Sequence, residues 1–294
     1  MNKMKEALSY LRLILTEENS HKPIYLKPTI EANIIDQDSQ AMKLDDYKKS
    51  IDFFAKRGLK KIKFVGGEPL EYRGLDQLIE YANKSGIEDI GITTNGLGLG
   101  TRVLDLKAKG LTNVNLSIDS LKEYRYQALM QGANLKEVFL SIDACRSADV
   151  KVKINCTAIK GFNDDELLDF MKLSISNDID IRLVELLPYG IDPKVYERGY
   201  LDLREVIDNT EGILEEKGEE KSLGDYFRIY EAKGRIGIIT KNHREYKEDL
   251  RRINISNRGY MNVGQLQKNE YFIKPLLDDK MAMNILFNKI KFGV

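Results

Sequence analysis

Asp89-Ile-Gly-Ile-Thr-Thr94, the stretch Arg102–Lys109 and Asn113-Val-Asn-Leu-Ser-Ile118 follow one another directly, and their reading decides the fold. A β-branched run, a segment with helical spacing stopped at Gly110, and a second β-branched run read as strand, helix, strand. Working outward, the same unit recurs. Leu11–Thr16, Lys61–Val65, Val150–Asn155 and Asp180–Val184 read as further strands, and Asp45–Arg57, Leu75–Lys84 and Asp164–Lys172 as helices. Gly58 and Gly86 supply two more helix stops. About six such alternations predict a parallel α/β domain, barrel or open sheet, ending near Pro188-Tyr-Gly190.

Beyond residue 195 the texture changes. Glu211–Lys221 reads as a solvated charged loop or helix end. Tyr226–Tyr230 and Arg235–Thr240 look strand-like, then comes Arg252–Gln265, and an apolar helix runs from Asp278 to about Lys289. The expected organisation is a barrel over 1–195 and a smaller C-terminal α+β extension over 196–294, covering the barrel mouth. A chain of 294 residues accommodates that division.

Hydrophobic residues at 42%, charged residues at 31% and only six prolines exclude a disordered or collagen-like chain. The 46 basic residues cancel the 46 acidic ones, so neither nucleic acid nor a membrane is expected as partner. With no long apolar run and no signal-peptide core in Met1–Glu6, a cytoplasmic protein is expected. The two cysteines, Cys145 and Cys156, form no C-x-x-C pair and read as buried bystanders. The chain alone then offers neither a cysteine zinc site nor an iron–sulfur site, and two distant histidines, His21 and His243, make no His-rich metal site.

Strands covered on both faces should be apolar at nearly every position. These alternate instead. One face carries Arg12 and Thr16, Lys63, Thr93 and Asn95, Asn115, Ser117 and Asp119, then Lys151, Lys153 and Asn155. The opposite parity is almost wholly apolar, so one face meets the helices and the other meets something polar. Arg12, Lys63 and Lys153 bring positive charge against a single acid of matching parity, Asp119, a surplus suited to an anion such as phosphate. Asp119, Lys153 and Glu68 are the candidate proton-transfer groups.

Three turns stand apart. Val65-Gly-Gly-Glu-Pro69 is equally well a ligand-approach turn or a tight strand exit. Gly96-Leu-Gly-Leu-Gly100 lacks the dinucleotide-binding spacing and reads as a flexible turn. Asn163-Asp-Asp-Glu166 is a helix start.

Taken in order, Leu11-Arg-Leu…Thr16, Gly66-Gly-Glu-Pro-Leu70, Asp89–Gly96, Val114-Asn-Leu-Ser-Ile-Asp-Ser120, Val152-Lys-Ile-Asn155, Gly161–Glu166 and Ile181-Arg-Leu-Val-Glu185 resemble the radical S-adenosylmethionine enzymes that begin molybdenum-cofactor synthesis, the GTP 3′,8-cyclases. The likeness is dense from Leu11 to Gly190 and thinner beyond. It implies a partial (β/α)6 TIM barrel with S-adenosylmethionine at the strand C-terminal ends and GTP deeper among basic residues. Tyr25, Gly66, Gly67, Glu68 and Ser117 fall at cofactor-contact positions, with Leu187 where a methionine is usual. Arg12, Thr93, Lys153 and Arg252 fall at GTP positions, Lys63 and Asn254 where arginines are usual. The family's Gly-Gly tail is here Gly293-Val294.

The resemblance breaks at the metal. The family's three-cysteine loop aligns without a gap to Thr16–Pro28, placing Asn19, Pro23 and Leu26 at the cluster-ligand positions. The C-terminal triplet becomes Lys247, Leu250 and Gly264. A radical-SAM-like protein without iron–sulfur clusters is therefore expected, one that binds an anionic nucleotide, S-adenosylmethionine or both. It would act as a binding, regulatory or partner subunit, with a protein partner or a second copy. Polar chemistry in the same pocket is the alternative, and active GTP cyclisation ranks last.

Overall fold

The computed structural model describes residues 10–26, 41–188, 190–210, 214–216, 225–229, 231–240, 252–264 and 270–292. Six parallel strands lie side by side in chain order: β1 (Tyr10–Ile14), β2 (Lys61–Val65), β3 (Asp89–Thr94), β4 (Asn113–Ser117), β5 (Lys151–Ala158) and β6 (Ile179–Glu185). Helices α1 (Leu44–Ala55), α2 (Leu75–Lys84), α3 (Val103–Lys109), α4 (Glu123–Leu129), α5 (Leu135–Ser147) and α6 (Leu167–Ser176) make the crossovers.

The alternation read from the sequence builds the core. Leu11 and Leu13, Ile62 and Phe64, Ile90 and Ile92, Val114 and Leu116, Ile181 and Leu183 are fully buried on the helix-facing side. Against them lie helix stripes at spacings of three and four: Tyr47, Ile51 and Phe54 on α1, and Leu75, Leu78 and Ala82 on α2. Each such side chain contributes roughly 1.5–3 kcal/mol relative to exposure, so this single layer carries the stability of the barrel. The inner face is left free for polar groups.

The C-terminal region continues the sheet at both edges. After α7 (Pro193–Gly199) and α8 (Leu203–Asp208) come β7 (Leu214–Glu216), β8 (Asp225–Ile229) and β9 (Ile236–Ile239), then β10 (Arg252–Ile255), β11 (Tyr260–Val263), β12 (Tyr271–Phe272) and a last helix, α9 (Lys280–Phe292). The order is β12-β11-β10-β1-β2-β3-β4-β5-β6-β9-β8-β7. β10 runs parallel to β1 and β9 parallel to β6, while the outermost strands are antiparallel. Among the described residues the two ends do not pair, so the barrel stays open.

Two readings change. Within Glu211–Lys221, Leu214–Glu216 is a strand rather than a charged loop, because it pairs antiparallel with β8. The helix expected from Asp164 starts as a 3-10 turn, and α6 begins at Leu167. The buried Glu166 carboxylate is held there by the Leu121 amide at 2.7 Å and the Arg125 guanidinium at 2.6 Å. No helix among the described residues is long and apolar enough to cross a membrane. Phe64→Ala should lower stability by about 3–5 kcal/mol, read as a fall in the urea midpoint.

Candidate functional site

Strand register arranges the inner face in three rungs. The first runs Asn254, Arg12, Lys63, Gly91; the second Thr93, Asn115, Lys153, Asp180; the third Ser117, Asn155, Arg182, Gly237. Gly91 leaves room for Lys63, whose Cε lies 2.9 Å from where a Cβ at that glycine would stand. Lys63 is only 7% exposed. Burial pushes its ammonium well below the usual lysine range, and repulsion from Arg182 adds to the shift, with smaller effects from Lys61 and Lys153 and an opposing one from Asp89.

Among the described residues, Arg12, Lys63 and Arg182 have no carboxylate within ion-pair distance. Lys153 differs from expectation. It pairs with Asp180 at 3.0 Å, and Asp180 also binds Arg235 at 2.9 Å. Burial alone would raise the Asp180 pKa, but Arg235 and Lys153 outweigh it and hold the carboxyl at about 2. Asp180 and Asp89, the latter paired with Lys61 at 2.9 Å, are thus further acids on this face, and Lys153 is neutralised rather than surplus. Reading the sixth strand by the parity used for the other five would have found both Asp180 and Arg182. At the N-terminal end of the strands, buried Arg252 stands over the Tyr10 ring, 5.3 Å from its centroid. Asn254 gives its amide to Asn262 at 2.8 Å and to the Gly264 carbonyl at 2.7 Å, so its donors hold the hairpin.

At the other end of the strands, the segment after β1 crosses the barrel. The Gly67 amide donates to the Thr16 carbonyl and the Glu68 amide to that of Glu18, both at 2.7 Å. A Cβ on Gly66 would stand 2.5 Å from the Thr16 oxygen, and one on Gly67 2.6 Å from that of Glu17. These glycines therefore serve close chain contact, and the tight-exit reading accounts for both. Asn19 donates to the Gly67 carbonyl at 3.2 Å and accepts from the His21 amide at 3.1 Å. The Ile24 amide reaches the Leu129 carbonyl at 3.1 Å, and Leu26 forms an antiparallel bridge with Ile191. Tyr25 passes beneath, its hydroxyl donating to Asp119 at 2.8 Å.

Two proton-transfer candidates prove to be fasteners. Glu68, 2% exposed, accepts from the Leu70 amide at 3.0 Å, the Thr94 hydroxyl at 2.6 Å and the Asn95 amide at 2.8 Å. Asp119, 5% exposed, accepts from the Thr157 amide at 2.7 Å and from Tyr25. Burial raises both carboxyl pKa values, yet every oxygen is already engaged. Ser117 and Thr93 are half-buried, and half-buried Leu187 lies just past β6.

Of the six cluster-ligand positions, Lys247 and Leu250 lie outside the described residues, and Gly264 has no side chain. Asn19 is engaged as above. Pro23 and Leu26 carry no donor, Leu26 being 37% exposed. His21 Nδ1 lies 3.2 Å from the Met130 carbonyl. Among the described residues, no three His, Cys, Asp or Glu side chains converge to hold a metal ion.

An open parallel barrel with a polar interior, capped at its strand ends by the segment after β1, defines the class. The chain belongs to the radical SAM superfamily, whose family model matches residues 28–174. Its fold is similar to that of Streptococcus suis SuiB bound to S-adenosylmethionine, with a TM-score of 0.60 and 15% identity over 94% of this chain and 65% of SuiB. Native anSMEcpe with bound AdoMet gives 0.56 at 12% identity, over 94% of this chain and 82% of that one. More specific are two GTP 3′,8-cyclases. That of Clostridium botulinum (strain Langeland) is 31% identical over 285 residues, 96% of this chain and 89% of the relative. That of Clostridium perfringens (strain SM101) is 35% identical over 263 residues, 88% and 81% respectively. These relatives place the chain in the GTP 3′,8-cyclase family.

Gly67→Ala should cost about 1–3 kcal/mol through overpacking against the Glu17–Glu18 backbone, again read from urea midpoints. Lys63 gives a pH signature. Its native pKa is depressed, so the native state binds fewer protons than the unfolded chain, and stability gains a term that rises with pH. The window lies between the depressed value and the ordinary value near 10.5. Lys63→Met should flatten that slope in urea midpoints measured across the window.

Proposed function

We propose that this chain is a radical-SAM-fold protein that works without an iron–sulfur cluster and binds an anionic, GTP-like nucleotide in its barrel. The carrying observation is the trio Arg12, Lys63 and Arg182, which have no carboxylate partner among the described residues. Burying unneutralised charge costs several kcal/mol per ion, and a polyphosphate removes that cost with charge-assisted hydrogen bonds. The naming of its relatives as GTP 3′,8-cyclases supports a nucleotide as the source of the phosphate.

An iron–sulfur cluster does not fit the residues present. Its ligands are thiolates, whereas the loop offers an engaged amide, a proline and a leucine. Both cysteines, Cys145 and Cys156, are buried, and burial raises their thiol pKa values. No radical step is derived for this chain. S-adenosylmethionine is a second ligand on this reading, near Gly66, Gly67, Ser117 and Leu187. A site there would need Tyr25 and Asn19 to yield their present partners.

Binding is favoured over polar catalysis in the same pocket, because Glu68, Asp119 and Lys153 are each committed to protein partners. The reading extends to a cytoplasmic regulatory or partner subunit, working with another protein or a second copy. In it, residues 196–294 close the mouth of the barrel formed by 1–195.

Calorimetric titration with GTP in the presence of chelator tests the binding. Affinity better than 1 mM, about −4 kcal/mol, is expected, with a loss of roughly tenfold or more on Lys63→Met. No heat with GTP or S-adenosylmethionine at millimolar concentration would remove the reading. Anaerobic incubation with iron and sulfide should leave the protein colourless, and a stoichiometric redox-active centre would overturn the cluster-free part.

A further inference from the structure

A hollow lies outside the barrel, between α1 and α9. These helices are fastened to each other at two places. At one end Lys49 pairs with Asp278, just ahead of α9, at 2.6 Å. At the other, Phe287 meets Phe53 and Phe54 edge to face, with ring centroids 5.7 and 6.0 Å apart. Between the two fastenings lies a cavity of about 380 Å³, within the size range of small-molecule sites, roughly 300–1,000 Å³. On α1 its lining recurs at helical spacing, Lys49, Phe53, then Lys56 and Arg57, so one stripe of the helix is turned to it.

The cavity has an apolar floor and a cationic rim. Phe53, Leu277 and Met283 make the floor, the last two being 9% and 2% exposed. Lys56, Arg57 and Lys280 stand at the rim. Arg57 is held in place: its guanidinium stacks on the Phe53 ring, 3.5 Å from the centroid, and donates to the Phe53 carbonyl and the Asn284 side chain. Both acceptors are neutral, so an oriented, fully charged fork stands at the cavity edge. Lys49, at the far end, is matched by Asp45 at 2.9 Å as well as by Asp278. Asp52, the single acid lining the cavity among the described residues, meets the Tyr81 hydroxyl. A bare phosphate would leave the floor unused, and a neutral hydrocarbon the rim. A carboxylate on an apolar body uses both, and its plane matches the guanidinium fork. A rigid ring suits the floor better than an acyl chain. It loses little freedom on entering, and it presents faces and edges to Phe53 and to the Met283 thioether.

We propose that the α1–α9 cavity is a binding site for a small aromatic carboxylate, with its ring on Phe53, Leu277 and Met283 and its carboxylate on Arg57. The site stands apart from the barrel and does not depend on the nucleotide reading. Its occupant ties the last helix to α1 and so raises the stability of the folded chain with ligand concentration.

The test is calorimetry on the full chain with cinnamate, its neutral analogue cinnamyl alcohol, and octanoate. Cinnamate should bind with a Kd below about 1 mM, and the alcohol and octanoate about tenfold or more weakly. Arg57→Gln, shown by its urea midpoint to be folded, should weaken cinnamate about tenfold or more. Lys63→Met, in the barrel, should leave cinnamate within about twofold, as for a distant site. Absence of heat with cinnamate at millimolar concentration overturns the site, and so does equal affinity for the alcohol; neither arm requires a variant to fold. Octanoate binding as tightly as cinnamate overturns the aromatic assignment. Unchanged cinnamate affinity in Arg57→Gln, or a tenfold loss in Lys63→Met, removes the ligand from this cavity.

Discussion

Positive charge enclosed without a counter-charge is the constraint on which this structure turns. Burying Lys63 is unfavourable, the charge of Arg182 adds to the cost, and Lys63 responds in the way available to an amine, by holding its proton less firmly. The strain is tolerable because stability resides elsewhere, in the apolar layer between strands and helices. Asp180 offsets Lys153 and Arg235 together.

The second organising feature is the segment after β1. One short stretch touches the ends of β2, β4 and β5, and the residue Ile191 beyond β6. Each tether is modest, on the order of 1 kcal/mol net, but they are distributed over the whole rim. Asn19 bridges its own segment to the Gly67 carbonyl. Tyr25 spans the opening to a carboxylate that burial would otherwise leave exposed to an unfavourable environment. Hydrogen bonds within the chain thus fasten this segment across the strand ends.

Much of this was legible in the sequence. Period-two alternation in five strands separated a helix face from a polar face, and the register of Arg12, Lys63, Asn115 and Lys153 bears that out. The missing part concerns partners. A sequence displays Glu68 and Asp119 as acids near the strand ends, but it does not display the backbone amides that occupy them, so fasteners resembled reagents. Asp180 looked like the polar start of a strand, and only pairing with β5 sets it beside Lys153. Likewise Glu211–Lys221 looked like solvated charge, since nothing local announces that Leu214–Glu216 will meet β8.

The paired glycines after β2 carry a final consequence. Their lack of side chains is demanded by the main chain of residues 16–18 pressing against them, a steric relation that holds whether or not any small molecule ever arrives. The pair is thus an imprint of one main chain upon another, visible in the sequence as two missing Cβ atoms.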